Sequence, residues 1–296
     1  MTIQSLILQA ATELSKSSET AFLDVEILLA HLLKKPREYL LTHPKVSLNK
    51  KQVATYQKLI HRRKKGEPVA YLIGYKYFYG LKFKVDFNTL IPRPETELMV
   101  EKALWKITNL RGENPNLSVI DLGTGSGAII ISLANQLKNK STINFTATDI
   151  SKNALKVARE NAKNNKISSQ ISFLQSDLLS HKKISALFKQ KSPVVILANL
   201  PYLSKEVYSS APITVKNFEP LTALFSGQDG LSHYRKLLKQ IKNFTLGSNQ
   251  LITLFCEISP EQKTLIKKEI ENYFSTAKIK FHKDLAKRWR LVEVEI

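Results

Sequence analysis

The feature that most constrains this chain is a change of period. From about Leu90 onward, short apolar runs alternate with helical stretches: "LSVIDLG", "INFTATDI", "ISFLQSDLL", "VVILANLPY" and "QLITLFCEI" read as strands, and "GAIIISLANQL", "KNALKVARENAKNN" and "YRKLLKQIKNF" as helices between them. Strands separated by helices predict a parallel sheet covered on both faces, a doubly wound α/β domain. The last two strands, "AKIKFHKDL" and "RLVEVEI", are expected as an antiparallel addition. Before Leu90 the pattern differs. "SLILQAATEL", "DVEILLAHLLKK" and "KQVATYQKLIHRRKK" carry apolar residues at helical spacing, which predicts a small helical module over residues 1–74. In "YKYFYGLKFKVDF", Leu81, Phe83, Val85 and Phe87 alternate with polar residues and Gly80 supplies a turn, so residues 75–92 are expected as a linking β-hairpin before a catalytic domain over 93–296.

Composition removes several classes. With 43% hydrophobic and 24% charged residues the chain reads as globular. Its single cysteine, Cys256, lies inside an apolar strand, so no disulfide forms within the chain, and a reducing, cytoplasmic setting is the default expectation. No stretch reaches the length of a membrane span, and the N-terminal "MTIQSLILQAATELSKSS" reads as a helix of the mature protein, so no membrane partner is expected. A formal charge of +20 invites a nucleic-acid reading, although the basic residues scatter over nearly every predicted helix face. Only "HRRKK", His61 to Lys65, is a tight cluster; contact with RNA or the ribosome, contact with an acidic protein, and a merely solvated surface all stay open for it.

Ligands of open α/β sheets bind outside the carboxyl ends of the strands. There the first strand ends in "DLGTGSG", where Gly123, Gly125 and Gly127 allow a tight turn and close backbone approach, either for a ligand or simply for the strand-to-helix connection. The second strand ends in Asp149, placed to accept hydrogen bonds from ribose hydroxyls, or alternatively to cap the helix beginning near Ser151. A GxGxG loop with no second dinucleotide half suits S-adenosylmethionine better than a nicotinamide. The third strand is read as ending in Asp177-Leu178, with Leu178 offering an apolar surface to an adenine.

The fourth strand stops at Asn199-Leu200-Pro201-Tyr202. A planar NH₂ group is a poor nucleophile, and two acceptors can aim it: the Asn199 side-chain oxygen and the Leu200 backbone carbonyl, exposed where the chain turns at Pro201. Acceptors there also stabilise the positive charge that develops on nitrogen, and Tyr202 is expected to stack on the planar group. An ordinary Asn-x-Pro turn is the bland alternative.

These residues resemble the peptide chain release factor glutamine methyltransferase family. The likeness runs through "DVEILLAHLL", "GEPVAYLIGYKYFYGLKFKV", "LIPRPETE", "DLGTGSGAI", "ATDIS", "QSDLL", "ANLPYL" and "EPLTALFSGQDGLSHYRKL", of which "PRPETE" and the "EP…ALF" segment discriminate best. The resemblance implies a mostly parallel seven-stranded class I methyltransferase sheet, S-adenosyl-L-methionine as cofactor, and release factors as partners, with the glutamine of their Gly-Gly-Gln tip as acceptor. It further implies that Gly123, Thr124, Gly125, Ser126, Gly127 and Asp149 hold the cofactor, that Leu178 flanks its adenine, and that Asn199, Leu200, Pro201 and Tyr202 hold the glutamine amide, with Asn199 also bordering the cofactor. The family's usual Asn-Pro-Pro-Tyr is here Asn-Leu-Pro-Tyr, which keeps the carbonyl and loses rigidity. "CEISPEQ" and "LAKRWRL" also depart from glycine-bearing family forms. An adenine N6-methyltransferase of DNA or RNA, a glutamine methyltransferase of a ribosomal protein, and a catalytically silent ribosome- or RNA-binding protein are the alternatives.

Overall fold

The computed structural model describes residues 1–113, 116–138, 143–190, 192–246 and 250–296. The chain divides into two compact units, one of Met1–Tyr75 with Pro212–Phe218, the other of Lys76–Ala211 with Glu219–Ile296.

The first unit holds α1 (Ile3–Leu14), α2 (Ala21–Leu33), α3 (Arg37–Thr42), α4 (Lys50–Lys64) and α5 (Val69–Ile73). Leu6, Leu14, Val25, Leu28, Leu29, Tyr56 and Ile60 form its core, and the Tyr56 hydroxyl, buried there, donates to the Val25 carbonyl at 3.1 Å. Asn49 and Gln52 close a capping box at the start of α4. At its other end the "HRRKK" cluster is largely neutralised: Arg62 pairs with Glu67, Arg63 with buried Asp24, and Lys64 with Glu13. Most of the charge that suggested a nucleic-acid patch is thus engaged within the unit.

The second unit begins at Lys76, within a hairpin of β1 (Tyr75–Phe78) and β2 (Leu81–Lys84), followed by α6 (Glu97–Glu113). Its sheet contains β3 (Leu117–Leu122), β4 (Ile143–Asp149), β5 (Ile171–Gln175), β6 (Val194–Ala198), β7 (Ile252–Glu257), β8 (Lys278–Lys283) and β9 (Trp289–Glu295). The spatial order is β5-β4-β3-β6-β7-β9-β8, with β3 to β7 parallel and β9 antiparallel to both β7 and β8. β3, β6 and β7 are buried along their whole length, which is why they read as unbroken apolar runs. Edge strand β8 instead alternates, with exposed lysines that discourage pairing with another chain. Between the strands lie α7 (Ala128–Gln136), α8 (Lys152–Asn164), α9 (Lys182–Leu187), α10 (Lys205–Ser210), α11 (Ile213–Phe218, in the first unit), α12 (Ser232–Thr245) and α13 (Lys263–Tyr273). α12 shows the burial of an amphipathic helix: Tyr234, Leu237, Leu238 and Ile241 face inward. Asn161 of α8 ties the hairpin to this unit, accepting from the Lys84 N–H at 2.7 Å and donating to the Lys84 carbonyl at 3.0 Å.

The sheet is thus doubly wound and seven-stranded with a separate two-stranded hairpin, as expected. Two boundaries differ: β2 ends at Lys84, short of the alternation read through Phe87, and the third sheet strand is shorter than expected. β5 ends at Gln175, and Asp177-Leu178 belong to the loop beyond it.

The strand order places the site. β3 pairs with β4 on one side and β6 on the other, so successive connections leave β3 in opposite directions and open a crevice above it. Leu122 and Ala198 are partners in the β3–β6 register, so the loop at Gly123 and the loop at Asn199 leave the sheet side by side.

Candidate active site

A cavity of 290 Å³ lies at that crevice, near the lower end of the size range of small-molecule sites. Gly123, Thr124, Gly125, Ser126, Asp149, Leu178, Asn199, Leu200 and Pro201 all line it, joined by Phe87, Thr89, Arg93, Thr96, Ile150, Asp177 and His233. Gly127 and Tyr202 lie outside the lining.

The glycine loop is built by backbone conformation. Gly123, Gly125 and Gly127 all take positive φ, at 64°, 55° and 82°. A Cβ on Gly127 would also stand 2.7 Å from Ile131 Cδ1, so this glycine serves the close packing of the loop onto α7. Thr124 donates from its hydroxyl to Asp121 at 2.6 Å and from its N–H to the Thr148 carbonyl at 2.8 Å. The Ser126 carbonyl accepts from Asn161 at 2.8 Å, so the same asparagine fixes hairpin and loop.

Asp149 accepts the Gly125 N–H on one oxygen at 2.9 Å and the Ser151 N–H on the other at 2.8 Å. Burial pushes its pKa up, while these backbone donors hold the charged form in place. The capping alternative for Asp149 is corrected: Ser151 is the N-cap of α8, accepting from the Ala154 N–H at 3.2 Å. That leaves the remaining lone pairs of Asp149 for a ligand. Beneath the loop Asp121 is 1% exposed, and its Oδ1 has no hydrogen-bond partner among the described residues. Burial pushes its pKa up to about 7. Leu178 is buried with φ at 53°, its carbonyl held by the Ser176 hydroxyl at 2.8 Å. Asp177 instead pairs with Lys236.

The second wall follows β6. The Asn199 side-chain NH₂ donates to the Thr96 hydroxyl at 3.2 Å, leaving the amide oxygen for an incoming donor. Leu200 is 3% exposed, and its Cδ2 lies 3.3 Å from where a Gly123 Cβ would stand, so its side chain packs over the glycine loop. The expected stacking role of Tyr202 is not what the geometry shows. Its hydroxyl donates to Glu257 at 3.4 Å, its ring packs against the apolar cluster, and burial pushes the phenol pKa up. Tyr202 therefore supports the turn from behind.

Several supporting residues gave little sequence signal. Gln262 donates to the Tyr202 carbonyl at 2.9 Å and the Asp229 carbonyl at 3.1 Å. Gly230 sits so close that a Cβ there would stand 2.1 Å from the Tyr202 carbonyl oxygen. Tyr234 donates to the Ala198 carbonyl at 3.1 Å and also reaches the Glu257 carbonyl, bracing the ends of β6 and β7 together. Glu219, buried, accepts from the Ile91 N–H at 3.2 Å and pairs with Arg93, which ties the "PRPETE" and "EPLTALF" segments together. Glu257 is 2% exposed, and burial pushes its carboxyl up to about 7. Its one sequence signal was a carboxylate at the end of an apolar strand. The departing "CEISPEQ" segment needs no glycine, because Ser259 has φ at −80° and caps with Gln262. In "LAKRWRL", by contrast, Lys287 has φ at 61°, a conformation that favours glycine. No cluster of metal-ligating side chains, and no helix long and apolar enough to cross a membrane, occurs among the described residues.

Asp149 and the glycine loop, which line the cavity, fit the sugar of a nucleoside. The comparisons with known proteins agree with that chemistry. Residues 5–74 match the model described as the PrmC N-terminal domain, and residues 113–285 match that of a methyltransferase domain. A release factor glutamine methyltransferase from Rhodopirellula baltica is 38% identical over 95% of this chain and 91% of its own length. Another from Bacillus cereus is 36% identical over 92% of this chain and 91% of its own length. The hMettl16 catalytic domain, solved in complex with MAT2A 3'UTR hairpin 1, superposes with a TM-score of 0.54 at 15% identity, covering 90% of each chain, a likeness of fold alone. On identity sustained over nearly the whole length, the chain belongs to the release factor glutamine methyltransferase family.

Proposed function

We propose that this protein transfers a methyl group from S-adenosylmethionine to the side-chain amide nitrogen of a protein glutamine, that of the Gly-Gly-Gln tip of peptide chain release factors. One observation carries the reading: the Asn199 amide is turned by Thr96 so that its oxygen is left for a donor, directly beside a glycine loop and Asp149. The relatives' shared name supports the choice of acceptor.

When bound, S-adenosylmethionine supplies an electrophilic methyl group on a sulfonium. Gly123 to Gly127 and Asp149 would hold it, Asp149 accepting from ribose hydroxyls, with Leu178 against the adenine. Asn199 Oδ1 and the Leu200 carbonyl would each accept one N–H of the glutamine amide. Two such acceptors orient the nitrogen for in-line attack and stabilise its developing positive charge. The N–C bond would form as the methyl–sulfur bond breaks, S-adenosylhomocysteine would be the leaving group, and the extra proton on nitrogen would pass to solvent, since neither amide oxygen is basic enough to keep it. Residues 1–74, which make up most of the first compact unit, would recognise the release factor rather than the cofactor.

The test is the mass of the glutamine-bearing tryptic peptide of release factor after incubation with the protein and labelled cofactor. The reading expects a gain of one methyl on the glutamine. An unmodified peptide, with label in adenine of added DNA or RNA, gives the protein to the adenine alternative.

A further inference from the structure

One face of α12 follows the loop after β5. His233, Lys236 and Gln240 recur at helical spacing and so share that face. Gln240 accepts from the Leu179 N–H at 2.9 Å and donates to the Ser180 hydroxyl at 3.0 Å. A turn nearer the helix N-terminus, Lys236 pairs with Asp177. A turn beyond that, His233 comes to the cavity wall that Asp177 and Leu178 also line. The helix thus holds the loop with two side chains and brings the third to the ligand.

What His233 offers there depends on which ring nitrogen carries the proton. Its Nδ1 lies 2.7 Å from the Ser226 hydroxyl oxygen, and the same oxygen accepts the His233 backbone N–H at 3.2 Å. Ser226 is 1% exposed, and its hydroxyl makes no other hydrogen bond among the described residues. With a proton on Nδ1, the serine oxygen would face two N–H donors while its own buried proton had no acceptor. With Nδ1 bare, the serine accepts once and donates once, and both groups are satisfied. The ring proton then sits on Nε2. Burial lowers the pKa of His233, which favours this neutral ring, and protonation would leave the Nε2–H where it is. Nδ1 is turned to Ser226, so the Nε2 edge is the one left for the cavity, and it meets no hydrogen-bond partner among the described residues.

Beside this donor stands an acceptor, the Asp177 carboxylate, which has lone pairs beyond those Lys236 takes. A donor next to an acceptor complements the amino edge of adenine, where the exocyclic NH₂ donates and the flanking ring nitrogens, N1 and N7, accept. We propose that His233 is a binding residue for the adenine of the cofactor: its Nε2–H donates to a ring nitrogen flanking the amino group, and Ser226 fixes the tautomer that makes it a donor. The inference rests on the S-adenosylmethionine reading and adds a side chain that reads the base.

The experiment is calorimetric titration of the full chain with S-adenosylmethionine. It compares the wild type with His233→Phe, which keeps a ring and removes the donor, and with His233→Gln, whose terminal NH₂ takes the place of Nε2. His233→Phe is expected to bind about fivefold more weakly, the effect of one neutral hydrogen bond, and His233→Gln to recover most of the loss. Equal affinity of the wild type and His233→Phe overturns the inference. Cofactor analogues in which adenine N1 or N7 is replaced by C–H identify the partner. For one of the two, its loss and that of His233→Phe should not add, because both remove the same bond; losses that add for both analogues overturn the proposal. Side-chain ¹⁵N–¹H spectra of the wild type give an arm that does not depend on any variant's folding. His233 should show the Nε2–H tautomer, and exchange of that proton with water should slow when cofactor is added. An Nδ1–H ring, or exchange that cofactor leaves unchanged, contradicts the proposal. A wild type that binds no S-adenosylmethionine defeats the cofactor reading and this inference with it, whereas binding indifferent to His233 defeats this inference alone.

Discussion

The two walls of the cavity are made in different ways. The wall after β3 and β4 is mostly backbone: three glycines with positive φ, and a carboxylate held by the Gly125 and Ser151 N–H groups. The wall after β6 is side chain upon side chain, Asn199 on Thr96, Tyr202 on Glu257, with Tyr234 and Gln262 fixing the turn behind them. A backbone cradle suits a ligand that must be bound. A chain of polar side chains suits one that must be aimed, because each hydrogen bond fixes an angle as well as a position. The difference implies that damage to one wall should be separable from damage to the other.

The largest separation is expected from Asn199→Ala. Removing one preorganised charge-stabilising contact should lower single-turnover transfer about a hundred- to thousandfold, while calorimetry finds cofactor affinity little changed. Asp149→Ala should do the reverse, weakening the cofactor by roughly 1.5–3 kcal/mol for each charged hydrogen bond lost, about ten- to a hundredfold, with much of the rate recovered at saturation. Equal losses of binding and turnover in both variants would break the comparison.

A smaller effect concerns stability and pH. Glu257 has its carboxyl raised from 4.5 to about 7 by burial, so between those values the native state holds a proton that the unfolded chain has released. Its contribution is therefore lost as pH rises through this window and is fully present below it. Asp121 acts in the same sense and is unaltered by the substitution, so thermal unfolding of Glu257→Gln against wild type isolates the term. The difference in Tm in favour of Glu257→Gln should grow from about pH 4.5 to about 7 and then level off; a constant difference would contradict it.

Smallest are two changes at family departures. Leu200→Pro keeps the carbonyl and stiffens the turn, so transfer should stay similar or rise, unless the proline forces Asn199 out of its backbone conformation. Lys287→Gly relieves a left-handed residue, worth about 1–2 kcal/mol in strain, against the extra freedom glycine has when unfolded. A gain in unfolding free energy below about 1 kcal/mol, with transfer unaffected, is the expected net.

The same contrast explains what was legible in the sequence. The alternation after Leu90 fixed the sheet, because β3, β6 and β7 are buried on both faces and spell it in apolar runs. The backbone wall was legible too, since positive φ calls for glycine within a few residues of the strand end. Asn199 stood out where an apolar strand stopped, but its support did not: Thr96 lies 103 residues away, and Tyr202 and Glu257 are 55 apart. The β6–β7 register brings Tyr202 near Glu257, and the turn of Pro94–Thr96 before α6 brings Thr96 to Asn199. The direction of the Tyr202 ring depends on such contacts and local pattern does not carry it, whereas the Ser151 cap is a local contact with Ala154 three residues on. The glycine departures divide likewise: Ser259 is at ordinary φ and Lys287 is not, a distinction invisible in the letters.

The wall after β6 is proposed to aim a glutamine amide at the cofactor's methyl group. This is tested most directly by offering the wild-type protein release factor and an adenine-bearing oligonucleotide together with S-adenosylmethionine labelled in its methyl group, and locating the label by mass spectrometry. Label is expected on the Gly-Gly-Gln glutamine of the release factor and none on adenine. Label on adenine N6, with the glutamine unmodified, would contradict it.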